Sequence, residues 1–364
     1  MLQLILGRSG YGKTHRIRQE LVALARQEET PPLVLLVPEQ YSFESERELL
    51  KALGPRLAGR IQVLSFTRLA QTVGREVGGL AGRQLDVGTR ALLMSRALEE
   101  TADALTFYRR QAASPDYVQA MLSLLSECKQ CAITPHQLET AAATLEDGTL
   151  RQKMGELALV LDAYDALASR SHIDPLDSLT LLAERLPESR RLDGALVFVD
   201  SFKGFTAQEL QVLRALLCKA ARVTVALCAD AVEDTAAGYG LFSPVIRTAA
   251  RLRSMAYEAG VPVAKVELLR ENHRSRCTAL RLLEAGAFSP RPAVDSAPTE
   301  AAAVIPCADL YEECAFVARR IRRLLREEGR RCRDIAVVAR NLAAYEGVLD
   351  VAFEEEGVPY YMDR

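Results

Sequence analysis

Leu2-Gln3-Leu4-Ile5-Leu6 runs directly into Gly7-Arg8-Ser9-Gly10-Tyr11-Gly12-Lys13-Thr14, and a helical pattern follows from His15. The octapeptide fits G-x-x-x-x-G-K-[ST], the pattern of a loop that cradles phosphate between a strand and a helix. Its glycines permit positive φ and close backbone approach, so consecutive N–H groups and the helix N-terminus can face a polyphosphate. In this pattern Lys13 reaches the β and γ phosphates, and the Thr14 hydroxyl ligates Mg²⁺. A glycine-rich turn can also be purely structural. The context favours the functional reading, because an apolar strand precedes it and Ile17, Leu21 and Leu24 give the next helix one apolar face.

Outward from this loop the chain alternates strand and helix. Leu33 to Val37 is a continuous apolar run ending at Pro38, as expected of a strand buried on both faces of a parallel sheet, and Ile61 to Leu64 is a third strand. From about Gln84 to Leu186 the residues are rich in Ala and Leu at helical spacing, with breaks near Pro115, Pro135 and Pro175. The α/β pattern resumes at Ala195 to Asp200 and Val223 to Leu227, with helical Gln208 to Leu217 between them and a further strand expected over Val261 to Leu268. A linker around Ser289 to Thr299 leads to Ala303 to Pro306, a helix from Tyr311 to Glu328, and a strand expected at Ile335 to Val338. The predicted fold class is α/β, a RecA-like P-loop parallel sheet with an all-helical insertion and the start of a second RecA-like domain. The expected divisions are 1–79 and 191–288 for the first domain, 80–190 for the insertion, 289–300 for the linker and 301–364 for the second domain.

The 364 residues, 49% hydrophobic, suffice for two or three cores. A net charge of −2 argues against bulk attraction to a polyanion but allows a local basic channel. No apolar run approaches the roughly 20 residues that span a bilayer, and Met1 to Leu6 lacks a secretory leader. A cytoplasmic protein with no membrane partner is expected. Eight cysteines are scattered, and the close pair Cys128 and Cys131 lies in a continuous helix, so reduced thiols are expected there rather than a metal site.

The layout is that of a helicase motor. Gly7 to Thr14, Val37-Pro38-Glu39-Gln40-Tyr41-Ser42-Phe43 through Glu46, and Val63 to Ala70 resemble the amino-terminal part of AddB, the smaller subunit of the bacterial AddAB helicase-nuclease. Val199-Asp200, Phe205-Thr206 with Gln208-Glu209, and Asp334 to Arg340 are also similar to that family, and the pattern resembles UvrD-type helicases more distantly. The resemblance implies binding of ATP with Mg²⁺ at Gly7, Arg8, Ser9, Gly10, Tyr11, Gly12, Lys13 and Thr14. Asp200, closing a strand, would hold Mg²⁺ opposite Thr14, its structural alternative being a helix N-cap. In active motors a glutamate follows this aspartate. Here Ser201 follows, which leaves binding intact and puts hydrolysis in doubt.

Leu269 to Ser275 resembles the Asn-Tyr-Arg-Ser segment of UvrD-like helicases, which makes Arg274 the candidate for the γ phosphate, against a reading as a solvated arginine. Asp230 stands where a coupling motif would, without its other residues, and is read as structural. Gln40, Tyr41 and Phe43 after the second strand, and Ser65, Phe66, Thr67 and Arg68 after the third, are suited to single-stranded DNA, with Phe43 and Phe66 alternatively core plugs. The arginines between Arg319 and Arg333 read as a solvated helix face. The resemblance further implies DNA ends as substrate, an AddA-like partner, a role in double-strand-break repair and recombination-hotspot (Chi) processing, and a nuclease with an iron–sulfur cluster only in downstream parts of the family. The alternative function is a free-standing P-loop ATPase or small-molecule kinase.

Overall fold

The computed structural model describes every residue except 79–83, 170–173, 237, 276, 290–291, 293, 295–296 and 363–364. The chain divides into two compact units, Met1–Arg276 and Cys277–Arg364.

Among the described residues of the first unit, six strands form one sheet in the order β3-β2-β4-β5-β1-β6, all pairs parallel. These are β1 Leu2–Gly7, β2 Leu33–Leu36, β3 Ile61–Leu64, β4 Leu196–Val199, β5 Arg222–Cys228 and β6 Glu267–Leu268. β2 is buried along its whole length, which explains why it reads as unbroken Leu and Val rather than as an alternation. The helices α1 (Lys13–Ala25) and α2 (Glu39–Ala58) cover one face through Ile17, Leu21 and Leu49. On the other face lie α3 (Phe66–Val77), α8 (Ser178–Arg185), α9 (Ala207–Lys219) and α10 (Ser243–Glu258).

Between α3 and α8 the chain forms α4 (Val87–Thr101), α5 (Pro115–Gln130), α6 (Pro135–Ala143) and α7 (Gly148–Ala168). These surround a second core of Met94, Leu98, Met121, Leu125, Leu161 and Tyr164. The helical stretch expected to run to 190 gives up its last helix to the sheet: Leu182 and Leu186, in and just after α8, are fully buried against the α/β core.

The strand expected over Val261 to Leu268 is mostly absent. The segment runs beside β1 through Leu2 N–H to the Pro262 carbonyl (2.8 Å) and Ala264 N–H to the Leu2 carbonyl (2.8 Å), and only Glu267–Leu268 pairs as a strand. Pro262 has no N–H to continue a ladder.

The second unit comprises α11 (Thr278–Gly286), α12 (Leu310–Arg326), α13 (Leu349–Glu355) and short turns. Cys314, Ala318 and Ile321 of α12 pack on Leu349, Ala352 and Phe353 of α13. Ala303–Pro306 and Ile335–Val338 form no strand among the described residues, and Val304 and Val338 are exposed. A strand needs a hydrogen-bonded neighbour, and neither segment has one. The arginines of α12 lie at or near the surface, and some are ion-paired, Arg322 with Glu356 after α13 at 2.6 Å and Arg320 with Glu328 at 3.5 Å. No helix among the described residues is long and apolar enough to cross a membrane.

Candidate functional site

The glycine-rich loop closes between β1 and α1 with Gly10 at φ 82° and Gly12 at φ 85°, conformations that favour glycine. Gly12 is also the N-cap of α1 and carries no capping side chain, so the first amides of α1 open into the loop. A β-carbon on Gly10 would lie 2.7 Å from that of Arg274, which leaves no room there for any residue but glycine. Lys13 folds its ammonium onto the loop, donating to the Gly7 carbonyl at 2.7 Å and the Arg8 carbonyl at 2.9 Å. Burial lowers its pKa from the usual lysine value and the Arg274 guanidinium lowers it further, against the opposing influence of Cys228 and Asp200. An ammonium short of countercharge in a loop of backbone donors is suited to an anion.

The segment after β6 seats itself on this loop. His273 donates its backbone N–H to the Gly10 carbonyl at 3.0 Å, and Arg274 donates from Nη1 to the Ser9 hydroxyl at 3.1 Å. The Asn272 carboxamide accepts from the backbone N–H groups of Arg274 and Ser275, both at 2.9 Å, and the resulting turn holds Arg274 over the loop. In the sequence Asn272 and His273 carry the resemblance around Arg274 but no role of their own. The signal was present as an Asn two residues before the candidate arginine, a spacing that forms such turns.

Asp200 follows the end of β4 with its carboxylate nearly buried, and its backbone N–H is tied to the Leu36 carbonyl at 3.0 Å. It caps no helix. The next helix, α9, starts seven residues later at Ala207, and its N-cap Thr206 forms a reciprocal capping box with Glu209. Gln208 of the same turn donates to the Leu176 carbonyl at 2.7 Å and to the Thr180 hydroxyl at 3.0 Å. Ser201 follows Asp200 at φ 67°, an uncommon conformation for a residue with a β-carbon. Thr14, Asp200, Ser201 and Arg274 line one cavity of about 320 Å³, whose apolar wall is Ile17, Leu21, Leu35 and Leu49. A hydroxyl and a carboxylate facing one cavity beside the loop are a suitable oxygen donor pair for Mg²⁺. Arg8 pairs with Asp230 at 2.9 Å, which gives Asp230 a structural partner, and does not line that cavity.

The candidate DNA residues lie at helix starts rather than in free loops. Gln40, Tyr41 and Phe43 belong to the first turns of α2, and Phe43 is 74% exposed. Ser65 is the N-cap of α3, accepting from the Arg68 backbone N–H at 3.2 Å. Phe66 is only 6% exposed and packs edge-on against Phe202 (5.4 Å) and Phe205 (6.5 Å). Arg68 pairs with Glu46 at 3.1 Å, and Thr67 is exposed. Tyr41 and Phe43 therefore present aromatic surface, whereas the Phe66 ring is committed to the core. Cys128 is buried in the helical core and Cys131 is exposed.

Fold and loop together define a parallel α/β protein with a glycine-rich, lysine-bearing turn at the head of its first helix. The family model described as "ADDB, N-terminal" matches residues 4–284, and the chain belongs to this family. Over its whole length the chain is similar to B-type subunits of ATP-dependent helicase/deoxyribonucleases. Those of Desulforudis audaxviator, Symbiobacterium thermophilum and Thermoanaerobacter sp. (strain X514) are 40%, 38% and 33% identical to it. The chain spans 32% of the length of each of these relatives.

Proposed function

We propose that this chain is the nucleotide-binding, single-stranded-DNA-guiding segment of an AddB-type helicase/deoxyribonuclease subunit acting in DNA double-strand-break repair. The observation that carries the reading is the convergence of Thr14, Asp200 and Arg274 on one cavity beside the glycine-rich loop. In it, Lys13 leaves the Gly7 and Arg8 carbonyls for the phosphates, and Arg274 reaches the terminal phosphate bidentately. Thr14 and Asp200 hold Mg²⁺, which when bound neutralises phosphate charge. ATP is bound but turned over slowly. The Ser201 hydroxyl cannot serve as general base without a partner, and hydrolysis lacks the carboxylate that would polarise water.

The DNA strand passes the carboxyl ends of the strands, where an open α/β sheet presents its crevice, with Tyr41 and Phe43 as stacking surfaces and Gln40, Ser65, Thr67 and Arg68 as polar contacts. An AddA-like subunit supplies the main motor, and the deoxyribonuclease, its iron–sulfur cluster and hotspot processing belong to the assembled enzyme. Calorimetric titration with MgATP tests the core of this. The expected result is saturable binding that Lys13→Ala abolishes, with turnover near background that Ser201→Glu raises. Absence of ATP binding by the intact chain overturns the reading, and brisk hydrolysis by it overturns the role given to Ser201.

A further inference from the structure

The connection between α4 and α5, residues 102–114, is irregular in backbone yet firmly held. Glu156 of α7 points its carboxylate into it and accepts from the backbone N–H groups of three consecutive residues, Thr106 at 3.0 Å, Phe107 at 2.9 Å and Tyr108 at 3.0 Å, and from the Thr106 hydroxyl at 2.7 Å. Tyr108 stacks on Tyr117 of α5 with centroids 5.4 Å apart. A row of successive amides is an anion-binding nest, and here the nest is filled from within. Any external anion must therefore be met by side chains.

Phe107 is 41% exposed, with the Lys153 ammonium 4.2 Å above its ring centroid. Lys153 forms no ion pair among the described residues, so its charge is engaged only by the ring. Arg110 is exposed and likewise without an ion pair among the described residues. Arg109 meets only Asp103, at 3.6 Å and almost wholly in water, a contact worth little. An exposed aromatic ring flanked by unpaired cations on a preorganised loop matches what single strands offer, a π-face and a phosphate alternating along one chain. An acidic peptide would use the cations and leave the ring idle.

We propose that residues 106–110 with Lys153 form a single-stranded nucleic-acid contact on the helical subdomain, in which Phe107 stacks on a base and Arg110 and Lys153 take the flanking phosphates. It rests on the reading of this chain as DNA-handling and adds a second station, away from the strand ends.

The test is oligothymidine binding by the full 364-residue chain, read by fluorescence anisotropy and by peptide mapping of photo-crosslinks from a 5-bromodeoxyuridine oligonucleotide. Phe107→Ala and the volume-keeping Phe107→Leu should each weaken binding about five- to tenfold, Phe107→Trp should retain it, and Arg110→Glu with Lys153→Glu should weaken it further and flatten its salt dependence. Crosslinks should fall on Phe107. The proposal is overturned if folded Phe107 variants bind normally, if crosslinks fall on Tyr41 or Phe43 alone, or if an abasic oligonucleotide or polyglutamate competes as well as oligothymidine. The first two outcomes leave the strand-end reading standing, whereas a wild-type chain that binds no oligothymidine removes both.

Discussion

At the scale of single residues, two buried carboxylates, Glu156 and Asp200, differ in how their oxygens are partnered. Glu156 is buried with a full set of donors. Although burial opposes its charge, the Phe107 amide, the Thr106 hydroxyl and the neighbouring amides hold its pKa down at about 2, against an ordinary 4.5. A depressed carboxylate contributes stability that is complete above the ordinary value and fades as pH falls toward the depressed one. The helical subdomain should accordingly lose stability between about pH 4.5 and about 2. Glu156→Gln should cost ~2 kcal/mol or more at neutral pH and remove that share of the acid dependence, which thermal melts of the two proteins across the window would reveal as converging curves. Parallel curves would show that other carboxylates dominate. Asp200 is as buried, yet among the described residues its side-chain oxygens accept no hydrogen bond. Its residue type and place at a strand end were plain from the sequence, whereas its freedom from capping duty depended on where α9 begins.

The starts of α2 and α3 illustrate the element scale. Ser65-Phe66-Thr67-Arg68 has the composition of a nucleic-acid loop, but Ser65 caps, Arg68 pairs with Glu46, and Phe66 packs against Phe202 and Phe205. The partners that claim Phe66 are distant in sequence, so nothing local separates it from Phe43. Phe66→Ala should cost about 3–5 kcal/mol through lost burial and cavity, while Phe43→Ala should stay within about 0.5 kcal/mol. Chemical denaturation of the two variants checks this, and equal effects would mean that the aromatic cluster is not a core. The helices themselves were legible from apolar spacing alone, and the structure adds capping boxes of Thr206 with Glu209 at the start of α9 and of Thr134 with Gln137 at the start of α6.

At the scale of the whole first unit, two cores are joined through a polar cluster. Lys129 of α5 reaches Asp177 at 2.7 Å, Asp165 at 3.1 Å and Asp174 at 3.5 Å, and Tyr164 donates to Asp174 at 3.0 Å. The turn Pro175–Asp177, which carries one of these acids and follows another, is also held by Gln208 of α9, so the helical subdomain and the sheet layer grip the same short segment. Burial works against the Lys129 charge, yet the carboxylates of Asp177, Asp165 and Asp174 outweigh it and raise its pKa, so this contribution is present below the ordinary lysine range and lost only above it. Lys129→Ala leaves the one fully buried carboxylate of the three, Asp174, without its ammonium though still partnered by Tyr164 and Arg90, and should destabilise the unit by about 1–3 kcal/mol, with amide exchange in α4, α5 and α7 accelerated before that of the sheet. Uniform acceleration would mean that the cluster does not join two separable cores.

The sequence by itself determined the parallel α/β class, the strand-to-helix loop at Gly7 to Thr14 and the helical stretch after β3, because apolar periodicity and glycine placement are local properties of the chain. Only the tertiary structure decided that α8 joins the sheet layer, that Phe66 is core while Phe43 is surface, and that Asn272 to Arg274 close over the glycine-rich loop. Each of these depends on which distant segments come into contact. Ile335 to Val338 makes the same point in reverse, since a segment with strand composition forms no strand until another backbone lies alongside to pair with it.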